Sequence, residues 1–285
     1  MRFQRQLLIA LATTVVAACA KDVKGVSNVG DIPPLAYVRY LNAVSDTLAT
    51  DLRSIDHLTY AQPFLATPYR AMGYGGYQGY AAGSHNIRVF PNSTNIAVTS
   101  SWFVDTTLTF TANTYYTIVH VGLGRGTGTA KQGLMVFADT FPAQSTTNVS
   151  YRVWNVGNDL GAVDVYATAA TTDALPGTAT FSNVAYKARS AYVSRAAGPL
   201  ALRVFATGTT TPALISATMN TGTAGTTSVD PIGGAGVAGT IATAMIYSKT
   251  TCTTAADCTA RGITLVAAPS IVWWNDVQPP RTTSP

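Results

Sequence analysis

The sequence predicts an all-β protein built as two tandem antiparallel β-sandwich domains. Three observations predict it. Thr supplies about one residue in seven, Tyr and Gly are plentiful, and only 11% of the 285 residues are charged, which suits β-branched and aromatic strands joined by small-residue turns. Apolar residues come in short, often alternating runs, and no segment sustains a 3.6-residue period. A set of motifs in the first half of the chain also returns in the second at a nearly constant spacing.

Taken in order, residues 1–18 carry Arg2 and Arg5, an apolar stretch over 7–18, and small residues before a cysteine, the layout of a secretory signal. Val16-Ala17-Ala18-Cys19 resembles the lipobox of bacterial lipoproteins, which implies cleavage before Cys19 and lipid on its thiol. Ala20, where enterobacterial lipoproteins retained in the inner membrane have Asp, favours the outer membrane, at its periplasmic face or the cell surface. Residues 19–35, with Lys, Asp, Gly and Pro33-Pro34, read as a lipidated tether.

The first sandwich is expected over 36–142, with strand runs at 36–44, 86–90, 101–110, 115–122 and 134–138 punctuated by Gly, Pro, Asn and Ser. Several short strands in about 110 residues favour an immunoglobulin-like pair of sheets. The second is expected over 148–278, with a long mobile Gly/Thr loop at 220–239, and 279–285 form a tail. Trp273 and Trp274, adjacent on a strand, point to opposite faces, so at most one belongs to a sandwich core.

The internal recurrence is specific. Arg39-Tyr40-Leu41-Asn42 matches Arg152-Val153-Trp154-Asn155 at a shift of 113 (39 to 152), and Asp51 matches Asp164 at the same shift. Tyr77 and Tyr192, Ala82-Gly83 and Ala197-Gly198, then Arg88-Val89-Phe90 and Arg203-Val204-Phe205 align at 115 (88 to 203). This spacing identifies a duplicated domain.

The opening Val38-Arg39-x-x-Asn42 strand, Val163-Asp164-Val165-Tyr166, the Tyr followed by Ala-Ala-Gly before Arg-Val-Phe, and Ala112-Asn113-Thr114-Tyr115-Tyr116-Thr117 together resemble domain of unknown function 4397. The resemblance covers nearly all of 36–278. It implies a secreted bacterial domain, often present in tandem on lipid-anchored proteins, and implies no activity.

Composition narrows the chemistry. All 13 acidic residues are Asp, so glutamate is unavailable for acid–base or metal work. The net charge of +5 falls to +3 once Arg2 and Arg5 leave with the signal, and no basic stripe suggests nucleic acid as a partner. His57, His85 and His120 are scattered in the first half without counterparts in the second, and no nucleophile elbow, phosphate loop or His-Glu metal motif is present. Asp56-His57 reads as a solvated turn. No cofactor is expected.

Cys252 and Cys258 read as a local disulfide in an oxidising compartment, with reduced buried thiols as the alternative. Asp51 and Asp164 fit loop-capping carboxylates better than calcium ligands, which need more oxygens. Arg39, Asn42, Arg152 and Asn155 are expected to hydrogen-bond loop backbone at one end of each sandwich. Residues 69–80 space Tyr69, Tyr74 and Tyr80 among glycines, either as rings presented to a glycan or peptide or, the favoured reading, as a twisted strand with glycines at bulges. The expected function is a lipid-anchored cell-envelope protein, not an enzyme, with a binding or structural role. The alternatives are a carbohydrate-binding or adhesive module using 69–80 and, less favoured, a hydrolase. The expected partners are the membrane, through the lipid, and a glycan or envelope protein.

Overall fold

A computed structural model describes residues 34–56 and 64–281. Cys19, nearly all of the tether, His57 and residues 282–285 lie outside the described residues. The first half comprises β1 (Leu35–Asn42), β2 (Thr50–Ser54), β3 (Phe64–Thr67), β4 (Gln78–Ala81), β5 (Gly83–Pro91), β6 (Val104–Phe110), β7 (Tyr115–Val121) and β8 (Gly133–Asp139). The second comprises β9 (Asn148–Asn155), β10 (Val163–Thr168), β11 (Phe181–Val184), β12 (Val193–Ala196), β13 (Ala201–Ala206), β14 (Ile215–Thr218), β15 (Ile241–Tyr247) and β16 (Ser270–Val277).

These strands form four sheets of four. Orders β4-β1-β7-β8 and β3-β2-β5-β6 in the first half return as β12-β9-β15-β16 and β11-β10-β13-β14 in the second, strand for strand. All pairs are antiparallel except two: β1 runs parallel to β7, and β9 to β15. The expectation of purely antiparallel sandwiches is corrected there. Long connections separate the members of each parallel pair, so no hairpin forces their directions apart.

The sheets stack in four layers. Ala36, Val38, Tyr40 and Ile118 of the β1 sheet meet Leu52, Ile87 and Val89 of the β2 sheet in the first core. Tyr151, Val153, Ala244 and Ile246 meet Val163, Val165, Leu202 and Val204 in the second. The opposite faces of the two central sheets meet each other through Leu41, Val119, Val121, Trp154, Met245 and Tyr247. Both faces of the central strands are therefore covered, which explains why β15 is buried at every position and shows no alternation. The two tryptophans follow the pleat: Trp273 packs on the second core and Trp274 on the face between the halves.

Leu35, residues 140–147 and the end of β16 lie at one end of the stack, because Tyr37 pairs with Tyr115, Tyr115 with Asp139, and Ile241 with Ser150 and Val277. The loops after β1, β7, β9 and β15 lie at the other.

Three of the short strands, β2, β3 and β4, fall outside the predicted runs, since β2 carries Asp51 and Arg53 and β4 carries Gly79. The predicted 101–110 run begins only at Val104, because Asn95 caps a helical turn, Ile96–Thr99, through Ala97 N at 3.0 Å. The 220–239 segment, expected as a mobile loop, is pinned. Thr223 and Ile232 exchange backbone hydrogen bonds, Gly233 N donates to Gln278 Oε1 at 2.7 Å, and the Gly222 and Gly234 backbones touch where a side chain would not fit.

Candidate functional site

A buried polar network, paired residue for residue, joins the two central sheets. Arg39 on β1 donates through Nε to Thr117 Oγ1 (2.8 Å) and through a terminal nitrogen to Asp276 Oδ1 of the other half (2.6 Å). Arg152 on β9 repeats the arrangement with Thr243 Oγ1 (2.8 Å) and Asp139 Oδ1 (3.0 Å). The ion pairs therefore cross, each half supplying an arginine to the carboxylate of the other. The Tyr77 hydroxyl donates to Asp139 Oδ2 at 3.0 Å and the Tyr192 hydroxyl to Asp276 Oδ2 at 2.7 Å, while their rings lie under Arg39 and Arg152 at 4.6 and 4.5 Å. Thr117 and Thr243 donate to the same two carboxylates.

Burial pushes both phenols up, which keeps them as protonated donors. Burial alone would lower the Arg39 guanidinium, but Asp276 together with Tyr77 and Asp139 raises it. Burial works to raise Asp139, yet Arg39, Thr117 and Arg152 hold it below the ordinary carboxylate range. Such a set contributes modestly to net stability when complete and costs several kcal/mol when one member is removed.

Arg39 and Arg152 were expected to share a role with Asn42 and Asn155, and the structure divides them. Three positions along a strand reverse the face. The asparagines point into the sandwiches and do bind loop backbone. Asn42 Nδ2 donates to Thr67 O (3.0 Å) and Asn155 Nδ2 to Gly161 O (2.8 Å) and Val184 O (3.0 Å), while Val44 N and Gly157 N donate back to the side-chain oxygens. The arginines point outward, into the face between the halves.

Asp51 accepts from Ala66 N at 2.7 Å, from Asn92 Nδ2 at 3.0 Å and from Arg53. Asp164 accepts from Asn183 N at 2.7 Å and Gly208 N at 2.9 Å. Ala66 and Asn183 both have positive φ inside β3 and β11, where the pairing to β2 and β10 shifts register, so the contact the two carboxylates share holds the same left-handed strand irregularity in each half rather than capping a loop.

Of the four tyrosines of 69–80, the three candidate binding residues Tyr69, Tyr74 and Tyr80 do not share a surface. Tyr80 is in the first core, because β4 pairs with β1 and turns it inward. Tyr69 packs edge-on against Tyr247 and donates to Ser248 O at 2.6 Å, across the halves. Only Tyr74, 75% exposed, is free to present its ring. His85 and His120 sit near opposite ends of the first sandwich: His85 Nε2 lies 2.8 Å from Ala81 O, whereas His120 pairs with Asn42 at the far end of β1. Burial pushes His120 down to about 3, with Gln132 opposing. Among the described residues, no three His, Cys or Asp side chains form a metal-binding group, and no helix is long and apolar enough to cross a membrane.

Asp139 and Asp276 escape a search at constant spacing, because insertions in the second half stretch their separation to 137 (139 to 276). The readable signal was the shared strand ending, Phe137-Ala138-Asp139 against Trp274-Asn275-Asp276, with both aromatic rings on the face between the halves.

At the end remote from Leu35, Arg70 donates to Ser248 O, Ser270 Oγ (2.8 Å) and Ala268 O (2.8 Å), bracing the loops of both halves. Cys252 and Cys258 form a disulfide, with Cα atoms 5.2 Å apart. It mounts a helix, Ala255–Ala260, capped by Thr254 through Asp257 N at 3.1 Å. Gly262 at φ 65 ends the helix: Gly262 N donates to Thr259 O and Ile263 N to Cys258 O, and Ile263 packs on the two cysteines.

Residues 36–166 are similar to the family described as domain of unknown function (DUF4397). The match begins in β1 and ends in β10, taking in all of the first sandwich and the junction after it. No curated protein matches the chain.

Proposed function

We propose that the chain is a lipid-anchored bacterial cell-envelope protein, held through Cys19 on the outer membrane where the cell has one. Two copies of the DUF4397-type domain, 36–142 and 148–278, would form one rigid unit with a non-catalytic binding or structural role. The Val16-Ala17-Ala18-Cys19 sequence supports the anchor, and the crossed Arg39–Asp276 and Arg152–Asp139 pairing on two halves of identical strand order supports the rigid unit. The buried carboxylates of Asp46, Asp51, Asp139, Asp164 and Asp276 all receive backbone or side-chain donors that join strands, loops or halves. The chain enters at one end of the stack, so an anchor there would present the opposite loops to whatever lies beyond the membrane.

The test is labelled palmitate in the native host, followed by protease treatment of intact cells. Label is expected on the wild-type chain and absent from Cys19→Ala, with the variant released in soluble form. Label surviving in Cys19→Ala would refute the anchor. Loss of activity toward any envelope polymer on Tyr77→Phe would speak against the non-catalytic reading.

A further inference from the structure

We propose that the end of the molecule remote from Leu35 carries a binding pocket for a small amphipathic carboxylate, held between Arg125 and Arg261. The proposal does not depend on the lipid anchor.

Two segments that break the correspondence between the halves build this pocket. One is residues 92–103, between β5 and β6, whose helical turn has no equivalent between β13 and β14. The other is the disulfide loop between β15 and β16, twice the length of the connection between β7 and β8. The first belongs to one half and the second to the other, yet they converge. Gly262 lies so close to Leu48 that a Cβ would collide with its side chain. Between them lies a cavity of about 390 Å³, within the size range of small-molecule sites. Insertions on a conserved-geometry scaffold are where binding residues are most often carried.

The lining divides by chemistry. Leu48, Pro91, Val98 and Phe103 supply an apolar wall, and Arg125 and Arg261 supply guanidinium groups. Both arginines are positioned before any ligand arrives. Asp46 fixes the backbone of Arg125, accepting from Gly124 N at 2.6 Å and Arg125 N at 3.1 Å, so its carboxylate is occupied by amides. Arg261 stands at the end of the disulfide-mounted helix and uses Nε on Asp257 (2.6 Å), which leaves its terminal nitrogens for the cavity. Two planar cations in the lining suit a carboxylate, which accepts from both, while the wall suits an adjoining apolar body.

The experiment is calorimetric titration of the full chain with 3-phenylpropionate, using 3-phenylpropanamide as the neutral twin. The acid is expected to bind saturably and the amide at least tenfold more weakly. Arg125→Gln and Arg261→Gln should each weaken the acid at least fivefold, whereas Arg281→Gln, whose arginine pairs with exposed Asp230 away from the cavity, should not. Reducing the disulfide should weaken binding as well, through the mount of Arg261. Each variant is exposed at the substituted position, and an unchanged thermal midpoint verifies its fold. Equal binding of acid and amide, full affinity in both arginine variants, or no saturable heat at millimolar acid would each overturn the proposal.

Discussion

Arg39 and Arg152 occupy equivalent places, but the carboxylates they serve are not equally supplied with cations, and replacing each by Met should separate them. Arg39→Met leaves Asp276, whose side chain is fully buried, with the hydroxyls of Tyr192 and Thr243 as its donors among the described residues. An uncompensated buried charge of this kind costs about 3–5 kcal/mol. Arg152→Met leaves Asp139 still paired with Arg189 at 3.0 Å, a cation the first half does not supply to Asp276. The loss there is that of charged hydrogen bonds alone, about 1.5–3 kcal/mol. The expected gap of about 2 kcal/mol is roughly a 30-fold difference in the folded-to-unfolded ratio. Urea unfolding at pH 7, followed by tryptophan fluorescence, measures it, since Trp154 is fully buried on the face between the halves. Losses equal within about 0.5 kcal/mol, or a larger loss for Arg152→Met, would show that Arg189 does not compensate and that the reasoning is wrong.

Three further outcomes follow from other parts of the molecule. His120 has its folded value at about 3, below the unfolded value, so its contribution is complete above about pH 6.5 and is lost as pH falls from there toward 3. Between pH 7 and pH 5 the chain should lose about 2 kcal/mol, and His120→Gln should flatten that slope; an unaltered slope in the variant would assign the effect elsewhere. Asn42→Ala and Asn155→Ala should each cost about 1–3 kcal/mol in thermal unfolding, Asn155 the more because it serves two carbonyls. Replacing Cys252 and Cys258 with Ser should cost about 2 kcal/mol by the loop-closure relation and speed amide exchange in the helix Ala255–Ala260 while β9 and β15 stay protected. Faster exchange throughout β15 would instead make the disulfide part of the global fold.

The strongly β-branched and aromatic strands, β1, β5 and β7, were legible because their side chains alternate or fill a core, and Tyr115–Val121 lies within the predicted run. β2 and β3 were not, since a strand of four or five residues with charged positions leaves too few apolar residues to reveal a period. The repeated Arg, Asn, Asp and Tyr were visible as repeats, but their partners were not. Arg39 meets Asp276 across 237 positions, a contact set by how two sheets stack rather than by anything local. Tyr80 shows the same limit: of the twisted strand favoured for 69–80 only Gln78–Ala81 forms, a helical turn occupies Gly73–Gly75, and the ring turns inward because β4 pairs with β1. The cavity beside Arg261 was hidden because its two walls belong to different halves.

The connection from Asp139 to Asn148 is only residues 140–147. A tether that short holds the two central faces at an effective concentration in the millimolar range. A pair of separate domains meeting through buried arginines would need tight intrinsic affinity to remain together when dilute. Covalent linkage removes that requirement: an association with a dissociation constant of tens of micromolar would stay closed in one chain at any dilution. Such a face can retain charged partners, which discriminate strongly for register, where an independently assembling pair would be driven toward a drier, more apolar contact.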